Sequence, residues 1–112
     1  MDTTLLEIGQ RLSARRKQLD MTQEKLAEQA NVTAQTISYA ELGKKAMRAD
    51  TIVGICEALK ISADYLLLGE ITPHDFSVLE QKISGLTPEQ YRHLEEIVDN
   101  YVAAIEGTRQ QM

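Results

Sequence analysis

The sequence predicts an all-α chain: five short helices followed by a two-helix C-terminal extension. Three observations lead there. Apolar residues recur at three- and four-residue steps, and no stretch shows the period-two alternation of a half-buried strand. Cap residues and residues that tolerate a left-handed backbone punctuate those runs at short intervals. The composition, 43% hydrophobic and 26% charged over 112 residues, suits one small core with an appendage and excludes a large multidomain enzyme.

Taken in order, Leu5, Ile8, Leu12 and Leu19 predict a first helix from about Thr4 to Leu19, stopped at Asp20. Thr22 reads as the N-cap of a second, whose apolar face is Leu26, Ala27 and Ala30. Asn31 ends it, being able to adopt positive φ, and Thr33 caps a third helix that Gly43 stops. Asp50 begins a fourth, with Ile52, Ile55, Cys56 and Leu59 inward; Ser62 caps a fifth, which Gly69 closes. Beyond Gly69 the texture changes. Thr72-Pro73 starts a sixth helix with Phe76, Leu79 and Ile83 in a stripe, and Ser84-Gly85 breaks it. Thr87 to Gln90 has the spacing of a capping box. From there Tyr91, Leu94, Val98, Tyr101 and Ile105 form a short heptad seam, fitting either a coiled coil or a helix packed on its neighbours.

Charge divides the chain at the same point. The net charge of −5 belongs wholly to residues 70–112, which carry eight acidic and three basic residues, whereas residues 1–69 balance nine against nine. The overall acidity therefore says nothing against a polyanion partner for the first segment.

Other classes fall away. No apolar run approaches the ~20 residues that span a bilayer. MDTTLLEIGQ lacks a basic segment followed by an apolar one, so no secretory signal is expected. The single cysteine, Cys56, permits no internal disulfide, and the expected location is cytoplasmic. His74 and His93 have no companions at ligand spacing, so neither metal nor cofactor is expected. No phosphate-cradling glycine loop or nucleophile with a base is present, and the chain reads as a non-enzyme.

The informative stretch is TQEKLAEQANVTAQTISYAELGKK, residues 22–45. It sets two short helices about a tight turn, with small Ala27 at their approach and Val32 and Ile37 placed to lock them together: the helix-turn-helix pattern. With Ile37 as the buried reference, a 100° step per residue turns Gln35 and Tyr39 away from the core, flanked by Thr36 and Ser38. Gln35 and Tyr39 are the expected base readers, with Ala34 and Ser38 supporting. Gln pairs with adenine and Ala contacts the thymine methyl, so A·T pairs are expected at the half-site centre. Lys44 and Lys45 follow the helix directly and are placed for phosphates; Thr33 and Thr36 at its start are assigned the same role.

The stretch resembles the phage Cro/repressor-type helix-turn-helix family, the XRE family. The resemblance rests on Arg16, Thr22-Gln23, Leu26-Ala27, Val32-Thr33, Thr36-Ile37-Ser38, Glu41, Gly43-Lys44-Lys45, Ile55, Ala58-Leu59 and DYLLLG at 64–69. It covers roughly residues 4–69 and departs at Asn31, where the family usually has Gly, at Ala40, and at Met47 where a loop proline is common. The resemblance implies a five-helix DNA-binding domain over residues 1–69, a phosphate contact at Gln23, and a structural ion pair between Arg16 and Glu41.

The resulting expectation is a repressor that binds an inverted-repeat, double-stranded DNA operator as a homodimer through helix 33–42. Residues 70–112 would serve as the dimerisation device, through Phe76, Leu79, Ile83, Tyr91, Leu94, Val98, Tyr101 and Ile105. If a dimer neutralises about eight phosphates, log K falls with log salt at a slope of about −7. Two rivals remain open: an antitoxin-type regulator whose acidic helices bind a partner protein, and a protein-interaction adaptor on the same scaffold.

Overall fold

A computed structural model of the chain describes residues 3–110; the two residues at each end, which belong to the segments 1–69 and 70–112, lie outside the described residues. Seven α-helices and no strand occur among the described residues: α1 (Thr3–Gln18), α2 (Gln23–Ala30), α3 (Ala34–Glu41), α4 (Ala49–Leu59), α5 (Ala63–Leu68), α6 (Pro73–Ile83) and α7 (Pro88–Gln110).

Local chemistry sets the boundaries. The Thr22, Thr33 and Ser62 side chains each accept from a backbone N–H in the first turn of the following helix, satisfying donors with no partner inside the helix. At Asn31 (φ 60°) the chain turns left-handed. There the N–H of Asn31 reaches Glu28 O and that of Val32 reaches Ala27 O, closing α2 with a paired cap. Asp20, Gly43, Lys60 and Gly69 reverse the chain with positive φ as well. Lys60 is the one that side-chain chemistry does not announce. The fourth helix starts at Ala49, one residue before the expected Asp50, and Arg48 at its N-cap supplies no side-chain bond. The Asp50 carboxylate instead accepts from Thr51 N at 3.0 Å.

The chain forms two compact units, one ending at Phe76 and the other starting at Ser77. The division therefore falls within α6, beyond Gly69. At its first turn Asp75 accepts from Thr72 N–H and hydroxyl at 2.8 and 2.9 Å and from the Ser62 hydroxyl at 3.4 Å, tying the start of α6 to the cap of α5.

In the first unit α2 packs on α3 and α4, α1 on α3 and α5, and α4 on α5. Leu12, Leu26, Ile37, Ile55, Leu59 and Leu66 are fully buried, so each of the five helices supplies at least one anchor. Truncating such a residue to Ala costs about 2–5 kcal/mol, enough to threaten a small domain. Gly9 governs the α1–α3 approach: a methyl there would collide with the carbonyls of Ala40 and Glu41. The second unit differs in kind. Beyond Leu66 no described side chain is buried, and α7 is amphipathic with its apolar residues uncovered.

Candidate nucleic-acid interface

The α3 face that would meet a ligand is built from its two ends. At the start, Thr33 Oγ1 accepts from Thr36 N at 3.1 Å and pairs with Thr36 Oγ1 at 2.9 Å, so both hydroxyls are held at the helix N-terminus. At the far end Gly43 (φ 70°) lets Lys44 N reach Tyr39 O at 3.0 Å, and Lys44 and Lys45 leave the helix exposed.

Between those ends Gln35 is exposed, whereas Tyr39 is half-buried. Gln35 Nε2 donates to the Tyr39 hydroxyl at 2.7 Å, and Lys45 Nζ sits over the Tyr39 ring, 5.5 Å from its centroid. Tyr39 thus lies less openly than a simple helical wheel implies, because the α3–α4 loop rises beside it. Gln35, Thr36, Tyr39, Lys45 and Arg48 share one groove between α3 and that loop. Ser38 is half-buried, and Ala34 packs on the margin of the core, leaving Gln35 the most open of the four base-reading candidates.

The base of α3 is fixed by one polar node. Arg16 donates to both Glu41 oxygens, Nε to Oε2 at 2.6 Å and Nη2 to Oε1 at 3.1 Å, while its Nη1 donates to Met21 O at 2.7 Å. Gln23 Nε2 donates to Glu41 Oε1 at 3.1 Å, so this proposed phosphate ligand already has one amide N–H engaged and keeps the other. Burial opposes charge on Glu41, but hydrogen bonds from Arg16, Gln23 and Ser13 with the Arg16 charge outweigh it and hold its carboxyl below the usual value. The hydrogen bond to Glu41 raises Arg16 in turn, against a smaller loss from burial.

Two further α1 arginines turn inward. Arg11 donates to Leu66 O and Leu67 O at 2.9 and 3.1 Å, and Arg15 donates to Leu59 O at 2.9 Å. Each therefore caps the carbonyl end of another helix, α5 or α4, where a cation complements the partial negative charge. In sequence the Arg15-Arg16-Lys17 run fits a nucleic-acid patch and a solvated helix face equally, yet its two arginines brace helices. No spacing rule reveals that, because the acceptors of Arg15 and Arg11 are backbone carbonyls of distant helices.

In the second unit, Phe76's neighbours along the chain continue the uncovered stripe. Leu79, Tyr91, Val98 and Tyr101 are exposed, while Ile83, Leu94 and Ile105 are half-exposed. Ile97 (64% exposed) and Val102 flank the seam and were missed, because they fall off its alternating steps of three and four. The Thr87–Gln90 capping box is present, with Thr87 N to Gln90 Oε1 at 3.0 Å and Gln90 N to Thr87 Oγ1 at 3.2 Å. Cys56 is half-buried, its thiol pushed up by burial. Among the described residues there is no cluster of three potential metal ligands, and no helix is long and apolar enough to cross a membrane.

A capped α2, a left-handed Asn31 turn and an outward α3 held at its base define a class of protein, and comparison with known proteins agrees. A family model described as helix-turn-helix matches residues 12–66. The P22 c2 repressor, solved with a synthetic operator, is 33% identical over 56% of this chain and 96% of its own, with a TM-score of 0.55. The restriction-modification controller protein C.AhdI from Aeromonas hydrophila is 26% identical over 58% of this chain and 98% of its own, with a TM-score of 0.56. The clp gene regulator ClgR from C. glutamicum is 25% identical over 61% of this chain and 88% of its own, with a TM-score of 0.55. No curated protein matches the chain significantly. The chain belongs to the helix-turn-helix family of the XRE, or Cro/repressor, type. It is a DNA-binding transcription regulator of the repressor or controller kind, and the family is non-enzymatic.

Proposed function

We propose that this regulator is a cytoplasmic repressor that binds an inverted-repeat operator as a homodimer, each copy inserting α3 into the major groove. The observation that carries this reading is the outward face of α3, with exposed Gln35 between hydroxyls at one end and Lys44 and Lys45 at the other. Gln35 reads a base edge, aided by Ala34, Ser38 and Tyr39. Gln23, Thr33, Thr36, Lys44 and Lys45 meet phosphates. One short helix makes too few contacts for specific affinity, which is the physical need for a second copy. The uncovered apolar residues of α6 and α7 support residues 70–112 as the pairing device, because a lone chain would leave that surface wet. Two copies then space their half-sites about one helical turn (~34 Å) apart.

Selection of bound duplexes from random DNA, with footprinting of the best site, tests this. An inverted repeat with A·T pairs at each half-site centre is expected, and a single asymmetric site would overturn the dimer. In parallel, Val98→Glu with Tyr101→Glu, both at exposed positions, is expected to give a folded monomer by sedimentation. A second reading, partner binding in the manner of an antitoxin, draws on the acidity of residues 70–112. A wild-type chain that sediments as a monomer and binds DNA only with a partner would favour it.

A further inference from the structure

We propose that Tyr39 acts as a positioning residue, whose hydroxyl accepts from Gln35 Nε2 and so leaves the amide with an acceptor and one donor outward, the edge that selects adenine. This rests on the DNA-reading role of α3 proposed above and assigns Tyr39 a different part in it: it serves Gln35 instead of touching a base. Gln35 and Tyr39 are one helical turn apart on the same face, and Gln35 Nε2 donates to the hydroxyl at 2.7 Å. An amide nitrogen carries two N–H groups and its carbonyl oxygen only accepts. With one N–H spent on Tyr39, the outer edge of Gln35 presents an acceptor beside a single remaining donor. The major-groove edge of adenine offers the matching donor at N6 and acceptor at N7, whereas guanine offers acceptors at both O6 and N7 and would face the Gln35 carbonyl with a like group.

With the amide turned over, the hydroxyl would donate to Oε1 and the outer edge would present two N–H donors, so it is the donation from Nε2 that gives an adenine-matching edge. Tyr39 is itself restrained. Its ring is half-buried and lies beneath Lys45 Nζ at 5.5 Å, against the wall of the groove that also holds Thr36 and Arg48. A glutamine left free would lose its rotamer freedom on meeting DNA; this one loses it on folding, which raises selectivity without adding a contact. The hydroxyl accepts from Gln35 and keeps its own proton to donate outward.

The test uses the full chain as wild type, Tyr39→Phe, Gln35→Ala and the double variant. Without DNA, the Gln35 side-chain amide protons in the nuclear magnetic resonance spectrum should be well separated and protected in wild type, and collapse toward free-glutamine values in Tyr39→Phe. With DNA, Gln35→Ala identifies the base pair that Gln35 reads. At that pair Tyr39→Phe should cut the preference for adenine over guanine by about tenfold. The double variant should match Gln35→Ala alone. Unchanged amide resonances in Tyr39→Phe overturn the proposal, as does an adenine preference that survives it. Relaxed specificity at a different base pair overturns it too, making Tyr39 a direct reader. A wild-type chain that retards no duplex at low salt overturns the DNA-reading role and this proposal together, whereas any of the other failures with DNA binding intact sinks the proposal alone.

Discussion

Arg16 on α1 holds Glu41, the last residue of α3, through both carboxylate oxygens at 2.6 and 3.1 Å, with side-chain exposures of 11% and 8%. The pair joins the C-terminal end of α3 to α1 and so fixes where that helix ends against the body. Replacing Arg16 with Met leaves a mostly buried carboxylate, so it should cost roughly 3 kcal/mol in chemical denaturation. The opposite replacement, Glu41→Gln, is isosteric and keeps the Gln23 and Arg16 side chains partly satisfied; it should cost less.

The same pair predicts a pH dependence. The folded Glu41 carboxyl lies below its ordinary value of 4.5, so its stabilisation is complete above that value and is lost as pH falls through the folded one. Unfolding free energy measured between pH 7 and pH 3 should drop below about pH 4.5, and Glu41→Gln should flatten part of that drop. A wild-type profile no steeper than that of the variant would remove this carboxylate from the account.

Gly9→Ala drives a methyl into the carbonyls of Ala40 and Glu41, which belong to backbone and cannot swing aside. Destabilisation of about 1–3 kcal/mol is expected, with weaker operator binding because the end of α3 must shift. Gly107→Ala is the control. Nothing lies within 4 Å of the added methyl, so it should stabilise α7 by about 0.5–1 kcal/mol. Equal effects from the two in thermal unfolding would show that helix propensity alone was at work.

Lys60 holds a left-handed backbone at φ 56° without a side-chain reason for it. Lys60→Gly relieves a cost of about 1–2 kcal/mol and gives back some of it in unfolded-chain entropy, leaving a net gain of about 0.5 kcal/mol. A loss of stability on that substitution would mean the Lys60 stem packs usefully.

Arginine and lysine should separate in a salt titration. Arg15→Met removes the donor to Leu59 O and should cost about 1–2 kcal/mol of stability without changing the slope of log K against log salt. Lys45→Met should leave stability nearly intact and make that slope shallower by about 1 per copy. A shallower slope for Arg15→Met would put that arginine on the phosphates after all.

Much of the fold is legible in the residues that punctuate it. Thr22, Thr33 and Ser62 cap, Asn31 and Gly43 reverse, and each acts through its own side chain or the lack of one, so short windows of sequence reveal them. Lys60 is illegible for the opposite reason: its left-handed turn is closed by backbone bonds from Lys60 and Ile61 N–H to Cys56 O and uses no side-chain group. The Gln35–Tyr39 hydrogen bond follows the one-turn spacing but needs rotamers to appear, and Lys45 joins it only through the shape of a loop. The bonds of Arg11 and Arg15 are not legible in sequence because their acceptors, Leu66 O and Leu59 O, are backbone groups more than forty positions away. Ile97 and Val102 were hidden by a heptad template narrower than the actual apolar face.

The inward arginines bear on how such a regulator searches a genome. Residues 1–69 are formally neutral, and the donors of Arg11, Arg15 and Arg16 are engaged with Glu41 and with helix ends. Little long-range attraction then remains for arbitrary duplex, the term that usually dominates non-specific binding. With roughly 10⁶ or more competing sites per chromosome, weak background adhesion keeps more molecules free to find the few correct ones. Selectivity here would owe as much to what the head declines to hold as to what it reads.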